Sequence, residues 1–510
     1  MNIQKGELAR RLYRGEGSVR LEDEITLPDY CPDVIRLIRM EALPCVDKES
    51  VWLQDGALSV EVTGRVELCL VYTDGEDTSS YAYSIPFTHT FKKDIGRSVK
   101  VSPDSLTAFV VPLPTVTSPR VLSPRRVLAR CDIRLSCEAM GNAVYDAFDP
   151  CDDIARLELD RRECAVSRLV GGVRRDFTLK QEVKLPSTLP SVARVVSCRT
   201  VMGVDSVHPS SDSAAVFLTA SFNVLYVAEE SGALVSFTQP VEVREEVSVD
   251  DCSESSVCRV RASVGRCDAK ILSDSFGESR VISLELPYTL DMAVLENIET
   301  GFIRDAYGVG CKAVCECASE DALCFVGSLC ESTSFRERVL LKTDAEEVTG
   351  VSAEVCVKGI GEDWVDLTLE VSALALTEGV PCGNISESLD MRVSMNIPDS
   401  IREATGNGAW CDAVVIPSFV DATISQGALE VSGELVCQAQ VWKCFSVDFL
   451  STVELSERDK TEGCIFYYPS EEDTLWTVGK RYGVSREALC RANNIEDEVL
   501  PRVVEVCRRK

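Results

Sequence analysis

Histidine is nearly missing: His89 and His208 are the only two in 510 residues. Catalytic triads and most catalytic zinc sites draw on histidine, so those chemistries have almost no material to work with. The chain also has no Cys-x-x-Cys pair, although it carries 24 cysteines. Its tightest group, Cys311, Cys315, Cys317, Cys324 and Cys330, lacks the spacing of zinc knuckles. No metal site is expected. No G-x-x-x-x-G-K-[ST] loop, H-E-x-x-H or G-x-S-x-G occurs, because Gly479-Lys480 lacks the upstream glycine. Paired carboxylates leave only glycoside hydrolysis formally open. The chain therefore reads as a non-enzyme with no catalytic residues and no cofactor.

Basic residues are also short. Lys and Arg number 53 against 82 Asp and Glu, a net charge of −29. Such a balance repels phosphate backbones and anionic lipid, so no nucleic acid partner is expected. No stretch nears the roughly 18 consecutive apolar residues of a membrane span, so no membrane insertion is expected either. The N-terminal MNIQKGELARRLYRGEGSVRLEDE interleaves charges with apolar residues where a secretory signal would need an unbroken apolar core. Together these imply a cytoplasmic chain with reduced thiols. Cys311, Ala313, Cys315 and Cys317 share one strand parity and read as core filling. The two histidines read as strand-edge or turn residues.

What is present is strand periodicity. Apolar residues at Leu58, Val60, Val62, Val66, Leu68, Leu70 and Tyr72 alternate with Ser59, Glu61, Thr63, Arg65 and Glu67. That predicts one strand, or two joined at a Gly64 bulge. The same period runs through Val127–Ala139, Val216–Tyr226, Val365–Val371 and Leu429–Cys437. At roughly 150 residues per domain the length allows three to four domains. Antiparallel β-domains with one wet face account for about the first 460 residues.

A repeat is visible. LPDYCPDVIRLI from Leu27 and LPSTLPSVARVV from Leu185 share L-P-x-x-x-P-x-V-x-R-x-[VI], each followed by an alternating strand ending in a tyrosine, Tyr72 or Tyr226. Pro32 and Pro190 suit the first turn of a short helix, with Val34, Leu37 and Ile38 on one face. GALEVSGEL from Gly427 echoes GALSVEVTG from Gly56 and suggests a degenerate third copy. The charged run from Asp149 to Cys164 suggests a linker near 155–175, and SERDKTEG marks a second break after Leu455. Domain boundaries are thus expected at 1–165, 170–310, 311–460 and 464–510. The arginines between Arg120 and Lys184 (Arg125, Arg126, Arg130, Arg134, Arg161, Arg162, Arg174 and Arg175) offer a basic docking patch or scattered strand-surface charge.

The last segment changes character. Asp473 suits the cap of a helix with the stripe Leu475, Val478, Gly479, Tyr482. Ser485 suits the cap of a second, with Val484 and Leu489 as a hydrophobic staple. DTLWTVGKRYGVSREALCRANN resembles a LysM domain, a βααβ module. Lys480 and Trp476, at i and i+4, share the edge of the first helix and read as a partner-binding pair. Asp473, Thr474, Asn494 and Pro501 complete the candidate surface.

That resemblance implies binding of N-acetylglucosamine polymers between the loop before the first helix and the loop after the second. Here Glu472 replaces the usual glycine before Asp473, and Pro501-Arg502-Val503 stands for Pro-Gly-Gln. Both substitutions close off the backbone and point to protein as the ligand. With its Leu-Pro repeats, the whole chain resembles the clostridial spore-coat morphogenesis family of repeated SPOCS domains and a terminal LysM. The resemblance implies a mainly β fold and a scaffold in the mother-cell cytoplasm at the forespore surface. Its implied partners are the coat basement-layer ATPase (SpoIVA-like), contacted through LysM, and other coat proteins. The alternative is a wall-associated protein that binds peptidoglycan or another glycan.

Overall fold

The computed structural model describes residues 3–150, 156–341, 345–361, 363–405, 409–457, 463–497 and 499–508. One two-sheet plan occurs three times, with seven strands in each of the first two copies and six in the third. In the first copy β1 (Ile3–Thr26) crosses to a meander of β2 (Arg36–Gln54), β3 (Ala57–Thr73) and β4 (Thr78–Asp94). It then returns through β5 (Thr107–Thr117) and β6 (Arg120–Ser123) to β7 (Arg126–Phe148). β7 pairs antiparallel with β1 on one edge and with β5 and β6 on the other, making a second sheet that faces the meander. Apolar residues of one parity from both sheets fill the space between, among them Val62, Leu68, Leu70, Ile133 and Leu135.

The second copy repeats this with β8 (Leu157–Lys184), the meander β9 (Val192–Ser210), β10 (Ser213–Ala228) and β11 (Leu234–Ser248), then β12 (Val257–Val264), β13 (Asp268–Leu272) and β14 (Val281–Gly308). The third has β15 (Cys311–Leu340), β16 (Glu347–Ile360), β17 (Trp364–Thr377), β18 (Val380–Ser394), β19 (Ala409–Ser425) and β20 (Ala428–Glu457), with a short helix α1 (Asp399–Thr405) before β19. The third copy keeps the two-sheet plan.

Several expectations change. The linker near 155–175 is instead strand β8, paired along its length with β14, and the first sandwich ends at Phe148. Residues 151–155, and 458–462 of the second expected break, lie outside the described residues. The short helix after Pro32 is a turn leading into β2. β3 is a single strand, and the irregularity lies opposite Gly64, between Val46 and Lys48 of β2. A Cβ on Gly64 would sit 2.2 Å from the Cys45 carbonyl oxygen, so glycine is required by the bulged partner. Gly427 opens the last strand of its repeat whereas Gly56 opens the middle meander strand. Their echo comes from like turns, with Asp55, Gly56, Gln426 and Gly427 all at positive φ.

The Leu-Pro motif occupies the crossover between the two sheets. Leu27 donates its amide to Arg125, Leu185 to Arg280 and Leu341 to Gly427, the same contact in all three copies. The Tyr226 hydroxyl donates to the carbonyl of Pro190 (3.0 Å), so the strand-ending tyrosine and the second proline meet. Arg36 of the motif donates to the Cys382 carbonyl in the third repeat, and Arg194 to the Thr78 carbonyl in the first. The motif's arginines fasten each copy to its neighbour.

The copies pack around a common centre. Strands β1, β8 and β15 touch one another pairwise. Val71, Leu225 and Leu374, matching positions of the middle meander strands, share one cluster. Tyr145, Phe302 and Phe449, one ring from each closing strand, stack mutually at 5.0 to 6.3 Å. Arg259, 2% exposed, donates to Glu138 of the first repeat (2.6 Å) and to Asp412 of the third. A buried charge needs such partners.

Candidate functional site

The C-terminal module is β21 (Gly463–Tyr467), helix α2 (Leu475–Tyr482), helix α3 (Arg486–Asn493) and β22 (Val504–Arg508). β21 and β22 pair antiparallel, and Val504 and Val506 join Leu475, Val478, Val484 and Leu489 in a small core. Thr474, rather than Asp473, caps α2: its hydroxyl accepts from the Thr477 amide and the Thr477 hydroxyl accepts from the Thr474 amide. Asp473 organises the loop before the helix instead. It accepts from the Tyr467 hydroxyl (2.6 Å) and from the amide and hydroxyl of Ser470 (both 2.8 Å). These hydrogen bonds, with Arg481 nearby, hold its carboxyl down at about 2. Ser485 caps α3 by accepting from Ala488, as its position in the sequence implies. Both helices end on left-handed residues, Gly483 and Asn494.

Helix α2 is docked against the second sandwich. Trp476 donates its indole N–H to Asp305 Oδ2 (3.1 Å), and Lys480 Nζ donates to Asp305 Oδ1 (2.7 Å). The Tyr307 hydroxyl donates to the Val484 carbonyl (3.1 Å), and its ring meets Trp476 edge to face at 4.9 Å. A Cβ on Gly479 would fall 2.3 Å from the Tyr307 hydroxyl oxygen, so the glycine of the core stripe is also the seat of this contact. Gly310 donates its amide to Gly483, and Arg486 donates its amide to Glu158. Trp476 and Lys480 do sit together on one edge of α2, and Lys480 stays exposed, but Asp305 of the same chain accepts from both. Sequence spacing put the pair on one face, but Asp305 lies 171 positions away and nothing local signals it.

Other parts of the module are open. Thr474 and Asn494 are exposed and Pro501 is half-buried. Tyr468 and Val499 are 71% and 75% exposed, on the loops after β21 and after α3. Tyr467 and Val504 close the β-ladder, so Tyr468 and Val503 leave it side by side. Glu471 and Glu472 stand exposed at the loop entry.

Reduced thiols are the default expectation, and among the described cysteines one pair departs from it. Cys464 and Cys507, facing each other across β21 and β22 with Cα atoms 4.4 Å apart, form a disulfide. Glu505 lies beside them, making the one cluster of potential metal-binding donors among the described residues. Elsewhere burial pushes thiols up, to about 12 at Cys45, Cys69 and Cys137. Cys311 is buried, Ala313 and Cys315 half-buried, and Cys317 exposed, because the register slips between Glu316 and Cys317.

The other candidates are spent in structure. His89 and His208 lie on the outer meander strands β4 and β9, packed edge-on against Phe91 and Phe217. Four of the eight arginines of the expected basic patch are held by neighbours: Arg126 by Glu24, Arg130 by Glu22, Arg174 by Glu49 and Asp291, and Arg125 by the carbonyls of Leu27 and Pro28.

No curated protein and no solved structure matches the chain. One family model does, described as LysM domain, over residues 470–503, and that stretch of the chain is a LysM domain.

Proposed function

We propose that this chain is a non-enzymatic adaptor in spore coat assembly, resembling SipL, whose three-sandwich body holds a LysM domain by its helical face and offers the loop face to a partner. The observation that carries the reading is the division of the LysM surface. Asp305 occupies Trp476 and Lys480, while Tyr468, Val499 and Val503 remain in solvent. Exposed aromatic and apolar groups around a polar rim suit recognition of another molecule. The basement-layer ATPase is the proposed partner, met in the mother-cell cytoplasm at the forespore surface. The twice-written Leu-Pro motif and the acids Glu471 and Glu472 support that choice.

The LysM match at 470–503 favours a second reading, in which the same loops hold N-acetylglucosamine polymers of peptidoglycan. One experiment separates the two. The full chain and Tyr468→Ala are offered to purified peptidoglycan and to immobilised basement-layer ATPase. Retention by the ATPase, weakened at least tenfold in Tyr468→Ala, supports the adaptor. Sedimentation with peptidoglycan, lost in the same variant, installs the glycan reading. Binding that ignores Tyr468 removes the loop face from either account.

A further inference from the structure

We infer that Cys464 and Cys507 are a dedicated oxidation site, a redox clasp that locks the LysM ribbon in an oxidising environment and opens in a reducing one. Geometry supplies the first argument. The two residues are directly opposed on antiparallel strands, at the 4.4 Å Cα separation of a non-hydrogen-bonded pair, where side chains lie closest. Their bond closes a segment of 43 positions that contains both helices and the whole LysM core. Strand β22, which supplies Val504 and Val506 to that core, is otherwise held by a short ladder with β21 and by the Asn493 side chain, which donates to the Glu505 carbonyl (2.8 Å) and accepts from its amide (2.6 Å).

Contrast with the other cysteines supplies the second argument. Cys131, Cys137 and Cys437 sit inside the sandwiches, where burial pushes their thiols up and out of reach, while the exposed Cys317, Cys330 and Cys444 face Leu450, Gln438 and Leu323 across their ladders, with no cysteine opposite. Cys464 is exposed. Its sulfur is open to a small reagent, while Cys507 is half-buried with Glu505 Oε1 3.2 Å from its sulfur. This asymmetry assigns the roles.

The oxidant is a low-molecular-weight disulfide, RSSR. The Cys464 thiolate attacks one sulfur of RSSR, forming a mixed disulfide and releasing one RS⁻, which takes up a proton. Cys507, its proton passing to the Glu505 carboxylate and on to water, then attacks the Cys464 sulfur and expels the second thiol. Two protein thiols become one disulfide, and their two electrons leave on two RSH. A dithiol reverses the sequence.

The test uses the full chain, reduced and then exposed to glutathione disulfide, with differential alkylation and peptide mass spectrometry. The expected result is a linked peptide pair holding Cys464 and Cys507, formed while Cys45, Cys131 and Cys437 remain free. Amide exchange in 463–508 should slow at least tenfold in the oxidised form and be indifferent to oxidant in Cys464→Ser and in Cys507→Ser. Failure of the pair to link, or exchange unchanged by linkage, overturns the clasp. So does reduced protein that takes up about one Zn²⁺ per chain through these residues in preference to oxidation, since the cluster is then a metal site.

Discussion

Lys480 and Asp305 form an ion pair between LysM and the sandwiches, with Lys480 about half exposed. An exposed pair contributes about 0.2–1 kcal/mol, so it orients the domain more than it holds it. The Trp476 indole and the Tyr307 hydroxyl add two directed hydrogen bonds at the same seat. Lys480→Glu sets two carboxylates face to face and should loosen docking. The Gly310 amide, which donates to Gly483 only when LysM is seated, reports it directly by hydrogen exchange. Exchange at Gly310 should quicken several-fold in Lys480→Glu and recover in the charge swap Asp305→Lys/Lys480→Glu. Equal exchange in all three proteins would mean that apolar contact alone seats the domain. Gly479→Ala should undock it more strongly, because the added methyl has both the Tyr307 hydroxyl and the Val484 carbonyl in its way.

At the scale of elements, the crossover shows what a sequence does and does not disclose. Alternation exposed the strands because each has one wet face. The Leu-Pro motif and its distant tyrosine appeared twice, and the Tyr226 to Pro190 hydrogen bond is the physical tie between them. Tyr226→Phe removes the donor to that half-buried carbonyl and should cost about 1 kcal/mol, read as a lower urea midpoint with unchanged slope. An unshifted midpoint would mean that water replaces the hydroxyl. The third copy was hard to see for the same reason. Ala375 stands at the tyrosine position and Leu341 is followed by Lys342 with no proline, so both halves of the signature are gone while the backbone contact to Gly427 persists.

The helix inferred after Pro32 failed because Leu37 and Ile38 point apart. A register slip between Leu37 and Arg39 turns Ile38 toward the other repeats, and a strand that changes face imitates helical spacing. The linker inferred at 155–175 failed because β8 is a long, charge-rich strand that pairs on one edge and packs on other repeats. Of the LysM candidates, spacing disclosed the helices and the Ser485 cap, and put the first cap one residue early, at Asp473 where Thr474 serves. Which face was free depended on Asp305, and only folding brings that residue near.

For the whole molecule, the interfaces between sandwiches are where charge is buried and where pH acts. Arg174 of β8 reaches Glu49 of the first sandwich (3.5 Å) and Asp291 of its own (3.1 Å). Burial, then the neighbouring Asp291, raises Glu49 to about 8, with Arg174 and the Val110 amide pulling the other way. Asp291 is raised as well, chiefly by burial. One guanidinium between two buried carboxylates favours retaining a proton. In the unfolded chain Glu49 ionises near 4.3. Between that value and about 8 the folded state binds the extra proton, so this contribution to stability is complete below pH 4 and is lost as pH rises to 8. Asp146, Asp366 and Glu430 work in the opposite sense, because basic partners lower their carboxyls and their contribution appears as pH rises above their acid range. The two sets separate by window. Toward pH 8 those lowered carboxyls are ionised in both states, while the Glu49 site is still losing its proton in the folded chain. Glu49→Gln keeps the hydrogen-bonding shape without the titration, so the urea midpoint of the variant should be flatter from pH 5 to 8 than that of the parent. Its advantage should be greatest at pH 8. A variant with the parent's slope would show that Glu49 is already ionised at neutral pH and that Arg174 satisfies both carboxylates at once.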